Sequence, residues 1–166
     1  MDFLIWIDNN LQTISTWAVI IGVPIALLQL WQGNRLANKD YLRRRKEITI
    51  AFTYDVLQSI DKITNLENSS EEISYETYCN NPEIDESVTQ YLRLMERISV
   101  GLNNDVYDFY IFRKICGRRI LEYWDRFKEI VFQLRKDSGN KNLYIEYEAV
   151  AKRIREIIAK EQRTNR

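Results

Sequence analysis

The chain has no histidine. That absence removes the commonest general base and the commonest metal ligand. Glycine is scarce as well: Gly22, Gly33, Gly101, Gly117 and Gly139 are the only ones, and they are widely separated. Neither a phosphate-cradling P-loop nor a dinucleotide fingerprint can be assembled from glycines so placed. The two cysteines, Cys79 and Cys116, are isolated from one another. They offer no zinc spacing and no disulfide framework, so both are expected to be reduced, structural thiols in a reducing compartment. The formal net charge is zero, which gives no global attraction to a polyanion. Acids are plentiful at ordinary surface spacing, and a dicarboxylate site is the one enzymatic option they leave open. We therefore expect no catalytic residue, no cofactor and no metal.

The most informative absence is local. From Asn9 to Asn34 no residue is charged, although 29% of the chain is Asp, Glu, Lys or Arg. At about 1.5 Å per residue, a helix from Leu11 to Trp31 reaches roughly 30 Å, the thickness of a bilayer core. Ile14, Val19, Ile20, Ile21, Val23, Ile25, Leu27, Leu28 and Leu30 favour insertion by about 3 to 5 kcal/mol in sum. Gly22, Pro24 and Gln29 subtract from that, so a solitary helix would be marginal. Trp17 and Trp31 stand near the ends, where indole rings suit the headgroup layer. Arg35, Lys39, Arg43, Arg44, Arg45 and Lys46 follow, whereas only Asp2 and Asp8 precede. The positive-inside bias puts the N-terminus outside and the rest in the cytoplasm. A cleaved signal peptide fits poorly, because no basic region precedes the apolar run. The expected organisation is an N-terminal segment with a transmembrane helix over 1–34 and a cytoplasmic helical domain over 35–166. A buried helix of a soluble protein is the alternative.

Ser15, Ala18, Gly22, Ala26, Gln29 and Gly33 recur every three or four residues and share one helix face. Small residues at that spacing let helix backbones approach closely in lipid. Gln29 and Ser15 add hydrogen-bonding capacity, while Val19, Ile21, Ile25 and Leu28 face the other way. A homo-oligomeric helix contact is the leading reading. A pore lining is the second, since small and amide side chains leave room for water. Chance composition is the third. Pro24 removes a backbone hydrogen bond and is expected to kink the helix.

The remainder is helical in pattern. Ile48, Phe52, Val56, Ile60 and Ile63 mark one apolar face. Asn65–Glu72 is polar and predicts a loop, with a short segment around Tyr75–Cys79. Asn81-Pro82 is a helix start, followed by Ile84, Val88, Tyr91, Leu92, Met95 and Ile98. Gly101 is placed to end that helix. Asn103-Asn104-Asp105 predicts the start of another helix or pair of helices, with Val106, Phe109, Phe112, Ile115 and Cys116 inside. The pattern resumes after Gly117 with Ile120, Leu121, Trp124, Phe127, Ile130, Val131 and Leu134. Asp137–Asn140 is a break. Leu143, Tyr147, Val150, Ile154, Ile157 and Ile158 mark the last helix, whose polar end from Lys160 is expected to fray. The fold class is all-α: one transmembrane helix, then a helical bundle large enough for a core.

Two basic clusters stand out. Arg43, Arg44, Arg45 and Lys46 suit the anionic membrane surface. Arg113, Lys114, Arg118 and Arg119 read as a solvated face paired with acids such as Glu122. Direct RNA binding would require these clusters to converge with exposed aromatics. Glu96 and Arg126 form a candidate partly buried pair.

The order of parts, together with Leu94-Met-Glu-Arg-Ile-Ser-Val-Gly-Leu102, Asn103-Asn-Asp-Val-Tyr-Asp108 and Tyr123-Trp-Asp-Arg-Phe-Lys128, resembles a family of small bacterial single-span membrane proteins of unknown function. Size and plan also resemble the membrane accessory proteins of CRISPR systems that use an RNA-guided RNA nuclease. That resemblance implies a ring-shaped homo-oligomer in the bacterial inner membrane. It implies a pore that depolarises the cell during antiphage defence, with an RNA-guided nuclease system as partner. It also implies a divergent helical ribonuclease motif, which a chain without histidine cannot supply. The expected function is thus a non-enzymatic, self-associating membrane protein that forms or gates a pore. The alternative is a membrane-tethered helical module that recruits a protein, nucleotide or RNA.

Overall fold

The computed structural model describes the backbone of residues 2–68 and 73–164 and the side chains of residues 19–66 and 73–164. Five helices and no strand occur among them: α1 (Asp2–Asn68), α2 (Tyr75–Asn80), α3 (Pro82–Asn103), α4 (Phe109–Ser138) and α5 (Ile145–Thr164). The chain forms two compact units, Met1–Arg44 and Arg45–Arg166. Helix α1 contributes to both.

In the first unit, every described side chain from Val19 to Arg44 is exposed. The helix runs through Pro24 without interruption. An apolar residue left in water forgoes about 1.5–3 kcal/mol relative to burial, so this surface lacks a partner within its own unit.

The second unit owes its core to periodicity. Val56, Ile60 and Ile63 of α1 are buried at intervals of three and four, as the pattern predicts. Helix α3 begins where Asn81 accepts from the Glu83 and Ile84 N–H groups and Pro82 occupies the first position. It buries Ile84, Val88, Tyr91, Leu92, Met95 and Ile98. Helix α5 packs on α3 and α4, and α2 bridges α3 and α4. Its Tyr147, Val150, Ala151 and Ile154 close the core.

Four expectations need correction. Asn65–Asn68 continue α1, because residues after Ile63 still find helical hydrogen bonds; 69–72 lie outside the described residues. Asn103 ends α3 and does not start α4. The α4 cap is Asp108, whose Oδ1 accepts from the Ile111 N–H at 3.1 Å. Helix α4 then passes Gly117 unbroken, so the second half is not a separate element. Val106 and Ile115 are exposed: the former sits in the α3–α4 loop, and the latter faces away from α5 and α3.

Gly101 does not terminate α3 either. It is buried two residues before the helix end, and the Tyr107 ring rests on it. A Cβ there would stand 2.3 Å from Tyr107 Cε2. The ring is held in place, since the Tyr107 N–H donates to Gly101 O at 3.2 Å and the ring meets Phe52 at 4.9 Å. Glycine is needed here for close approach. Gly101→Ala should push Tyr107 off α3 and cost about 1–3 kcal/mol, the usual range for overpacking. Urea unfolding of the two proteins measures it, and an unchanged midpoint would show that the ring yields freely.

Candidate functional site

Helix α1 carries both features singled out as functional. Val19, Ile20, Ile21, Val23, Ile25, Leu27, Leu28, Leu30 and Trp31 are all exposed, so apolar side chains cover every face of that stretch. A helix that is apolar all round is buried in a larger core or in lipid. Within the small-residue face, Gly22 and Gly33 have open space where a Cβ would project. Ala26 and Gln29 are likewise exposed. The side chains of Ser15, Ala18 and Trp17 lie outside the described residues. Among the described residues no helix is long and apolar enough to cross a membrane. The expected span begins at Leu11, so its first part, 11–18, falls outside the described side chains.

At the far end of the apolar stretch, the Arg35 guanidinium lies over the Trp31 ring, 5.5 Å from its centre. Lys39, Arg43, Arg44 and Lys46 are exposed, as a headgroup-facing cluster requires. Arg45 is different. Its Nη2 donates to Tyr107 O at 2.9 Å and to Asp105 Oδ1 at 3.2 Å, and only 19% of the side chain is accessible. Four residues on, Thr49 Oγ1 accepts from the Asp108 N–H at 2.8 Å. Arg45 therefore fastens the α3–α4 loop and leaves the basic surface. Nothing local marks it, since the neighbouring cations look identical in sequence.

The second basic cluster is divided among partners. Arg113 makes paired contacts of 2.9 and 3.0 Å with Glu161. Arg119 approaches Asp61 at 3.9 Å. Lys114 lies over the exposed Tyr110 ring at 5.7 Å. The acids that answer it come from α1 and α5, where Glu122 had been the expected partner.

Glu96 serves a purpose the sequence did not reveal. Its two carboxylate oxygens accept from the Glu146 and Tyr147 N–H groups at 3.3 and 2.9 Å. Those are orphan donors at the start of α5, and a carboxylate there also complements the helix dipole. Glu96 is thus a cap supplied by another helix. Arg126 instead stacks over Tyr123 at 5.1 Å.

The interior holds a polar chain among aromatics. Tyr147 donates to Ile120 O at 3.0 Å, and Tyr91 donates to the Tyr147 hydroxyl at 2.8 Å. Burial, the principal cause, pushes both phenols well above the usual tyrosine range. Cys116 donates to Phe112 O, and burial raises its thiol to about 12. A thiol so held is not a nucleophile at neutral pH. Cys79 is exposed, and both cysteines are free. An open groove lies beside α2, lined by Tyr75, Thr77, Asn80, Arg126 and Glu129. Beside it the Tyr75 phenol donates to Asp137 at 2.5 Å, which disfavours loss of its proton. Among the described residues no cluster of Cys, Asp and Glu could hold a metal ion.

These features define an all-helical protein in which an exposed apolar helix with a basic end precedes a small bundle. Residues 16–154 match the family described as a domain of unknown function, DUF4760, and the chain belongs to that family. No curated protein and no solved structure matches it.

Proposed function

We propose that the chain is a single-span, self-associating membrane protein whose bundle (35–166) lies on the cytoplasmic side of a bacterial inner membrane. In this reading its span (1–34) assembles into a ring that forms or gates a pore. Membrane depolarisation during antiphage defence, beside an RNA-guided nuclease system, is the role that follows from its resemblance to CRISPR accessory proteins. The observation that carries the reading is the stretch Val19–Trp31, apolar on every face and exposed throughout. Lipid satisfies all faces of such a helix at once, whereas a soluble partner would cover one. The cations from Arg35 to Lys46 supply the flanking charge that sets orientation.

Self-association is supported by the open face at Gly22, Ala26, Gln29 and Gly33. In lipid, van der Waals packing across small residues is the main drive for helix pairing. The full-length protein in mild detergent should have the mass of an oligomer. A strict monomer would remove the proposal. Gly22→Leu or Ala26→Leu should weaken assembly roughly tenfold per 1.4 kcal/mol of lost packing. Unchanged assembly would place the contact elsewhere. The groove beside α2 favours a second reading, a tethered module with its own ligand. Removal of residues 1–34 separates the two, because a module keeps its ligand and a pore former keeps nothing.

A further inference from the structure

The loop between α3 and α4 is built to present two apolar side chains outward. Asn104 ends α3, and Asp105 then takes a left-handed φ of 57°. The turn aims the Val106 and Tyr107 N–H groups back at Gly101 O, at 2.8 and 3.2 Å. Tyr107 goes inward onto Gly101 and Phe52. Val106 therefore goes outward and is 55% exposed, and Tyr110 in the first turn of α4 is 63% exposed. Nothing in the bundle's own packing requires a valine there, and water disfavours one.

The charges nearby have a consistent arrangement. The two acids of the loop are engaged: Asp105 with Arg45, and Asp108 with the Ile111 N–H. Lys46 and Lys114 are exposed, and Lys114 lies over the Tyr110 ring. Tyrosine and valine set among lysines is the chemistry of an interfacial anchor: the apolar parts enter the headgroup layer and the ammonium groups meet lipid phosphates. Arg45 and Thr49, which hold this loop, are the first residues of the bundle, directly after the cationic run Arg35–Arg44. The loop is thus fastened to the part of the bundle that the chain reaches first.

We propose that Val106 and Tyr110 form a second membrane contact, docking the bundle on an anionic lipid surface through the α3–α4 loop. This rests on the reading that the α1 stretch inserts, and the test separates the two. Full-length protein with Cys79→Ser would be reconstituted into phosphatidylcholine–phosphatidylglycerol vesicles. A bimane probe would be placed at Val106→Cys, at Leu28→Cys or at Gln133→Cys, and quenched by lipids bearing nitroxides at shallow or deep positions. All three positions are exposed, so the bundle should fold in each variant. The probe at 106 should be quenched by shallow nitroxides, and the probe at 133 by neither. Lys114→Glu should reduce quenching at 106, as should vesicles of phosphatidylcholine alone. If 106 is no more quenched than 133, the contact does not exist; protection of 106 from aqueous iodide in that case would assign the patch to a protein neighbour. Deep quenching at 28 without quenching at 106 would overturn the loop contact and keep the inserted span. Absence of quenching at both would overturn both.

Discussion

Tyr91→Ala is expected to be among the most destabilising single changes in the bundle. Tyr91 is fully buried, with the rings of Tyr123, Phe127 and Tyr147 at 5.6, 5.9 and 6.1 Å. Truncation would remove the ring at the centre of that cluster and leave a cavity on three aromatic neighbours. Large-to-small changes of this kind cost about 3–5 kcal/mol, a large share of the total stability of an ordinary domain. The hydroxyl adds less. Tyr91 only donates to Tyr147, which keeps its own bond to Ile120 O. Tyr91→Phe should thus cost about 1 kcal/mol, the net worth of one hydrogen bond. Denaturant unfolding of both variants against the unaltered protein measures the contrast. Equal costs would mean that the hydroxyl, and not ring burial, dominates.

The second large effect is alkaline unfolding. Tyr91, Tyr147 and Cys116 all resist ionisation in the folded bundle, mainly because burial penalises their charged forms. In the unfolded chain tyrosine ionises near 10.0 and cysteine near 9.0. Above those values the unfolded chain holds fewer protons than the folded one, so stability falls as pH rises. The contribution is fully present below about pH 9 and declines from there towards the raised folded values. Each such group costs roughly 1–2 kcal/mol per pH unit in that window. Thermal melts between pH 8 and 11 should show a steep loss of Tm above pH 9–10. The tyrosinate absorbance of the buried phenols should appear together with loss of helical circular dichroism. Gradual ionisation of every tyrosine with the helices intact would contradict this account.

Much of the fold was legible in the sequence, for a local reason. The apolar period of α3 and α5 placed Ile84, Val88, Tyr91, Leu92, Met95, Tyr147, Val150 and Ile154 on inner faces, and all are buried. Asn81-Pro82 marked the α3 start because capping acts within a few residues. The failures share a cause. Gly101 has the composition of a helix stop, yet its role depends on Tyr107 arriving from the next loop. Val106 and Ile115 satisfy the apolar pattern of α4 but lie on the wrong side of the cap or of the helix. Ile48 fits the α1 pattern and is exposed, whereas Thr49 beside it is buried and holds the α3–α4 loop. Of the functional candidates, the small-residue face and most of the first basic cluster sit where the helical period puts them. Arg45 alone is drawn away, by a contact no pattern announces.

Sequence by itself determined the helical class, the faces of α3 and α5, the charge-free stretch with its basic end, and the exclusion of histidine-based chemistry. These follow from composition and from a 3.6-residue period, which act within a turn or two. Only the tertiary structure decided that Arg45 and Thr49 clasp the α3–α4 loop, that Glu96 caps α5, and that Tyr91 and Tyr147 form a buried chain. Those contacts join residues 50 to 62 positions apart. Which distant groups meet depends on how whole helices pack, and no short window of residues contains that information.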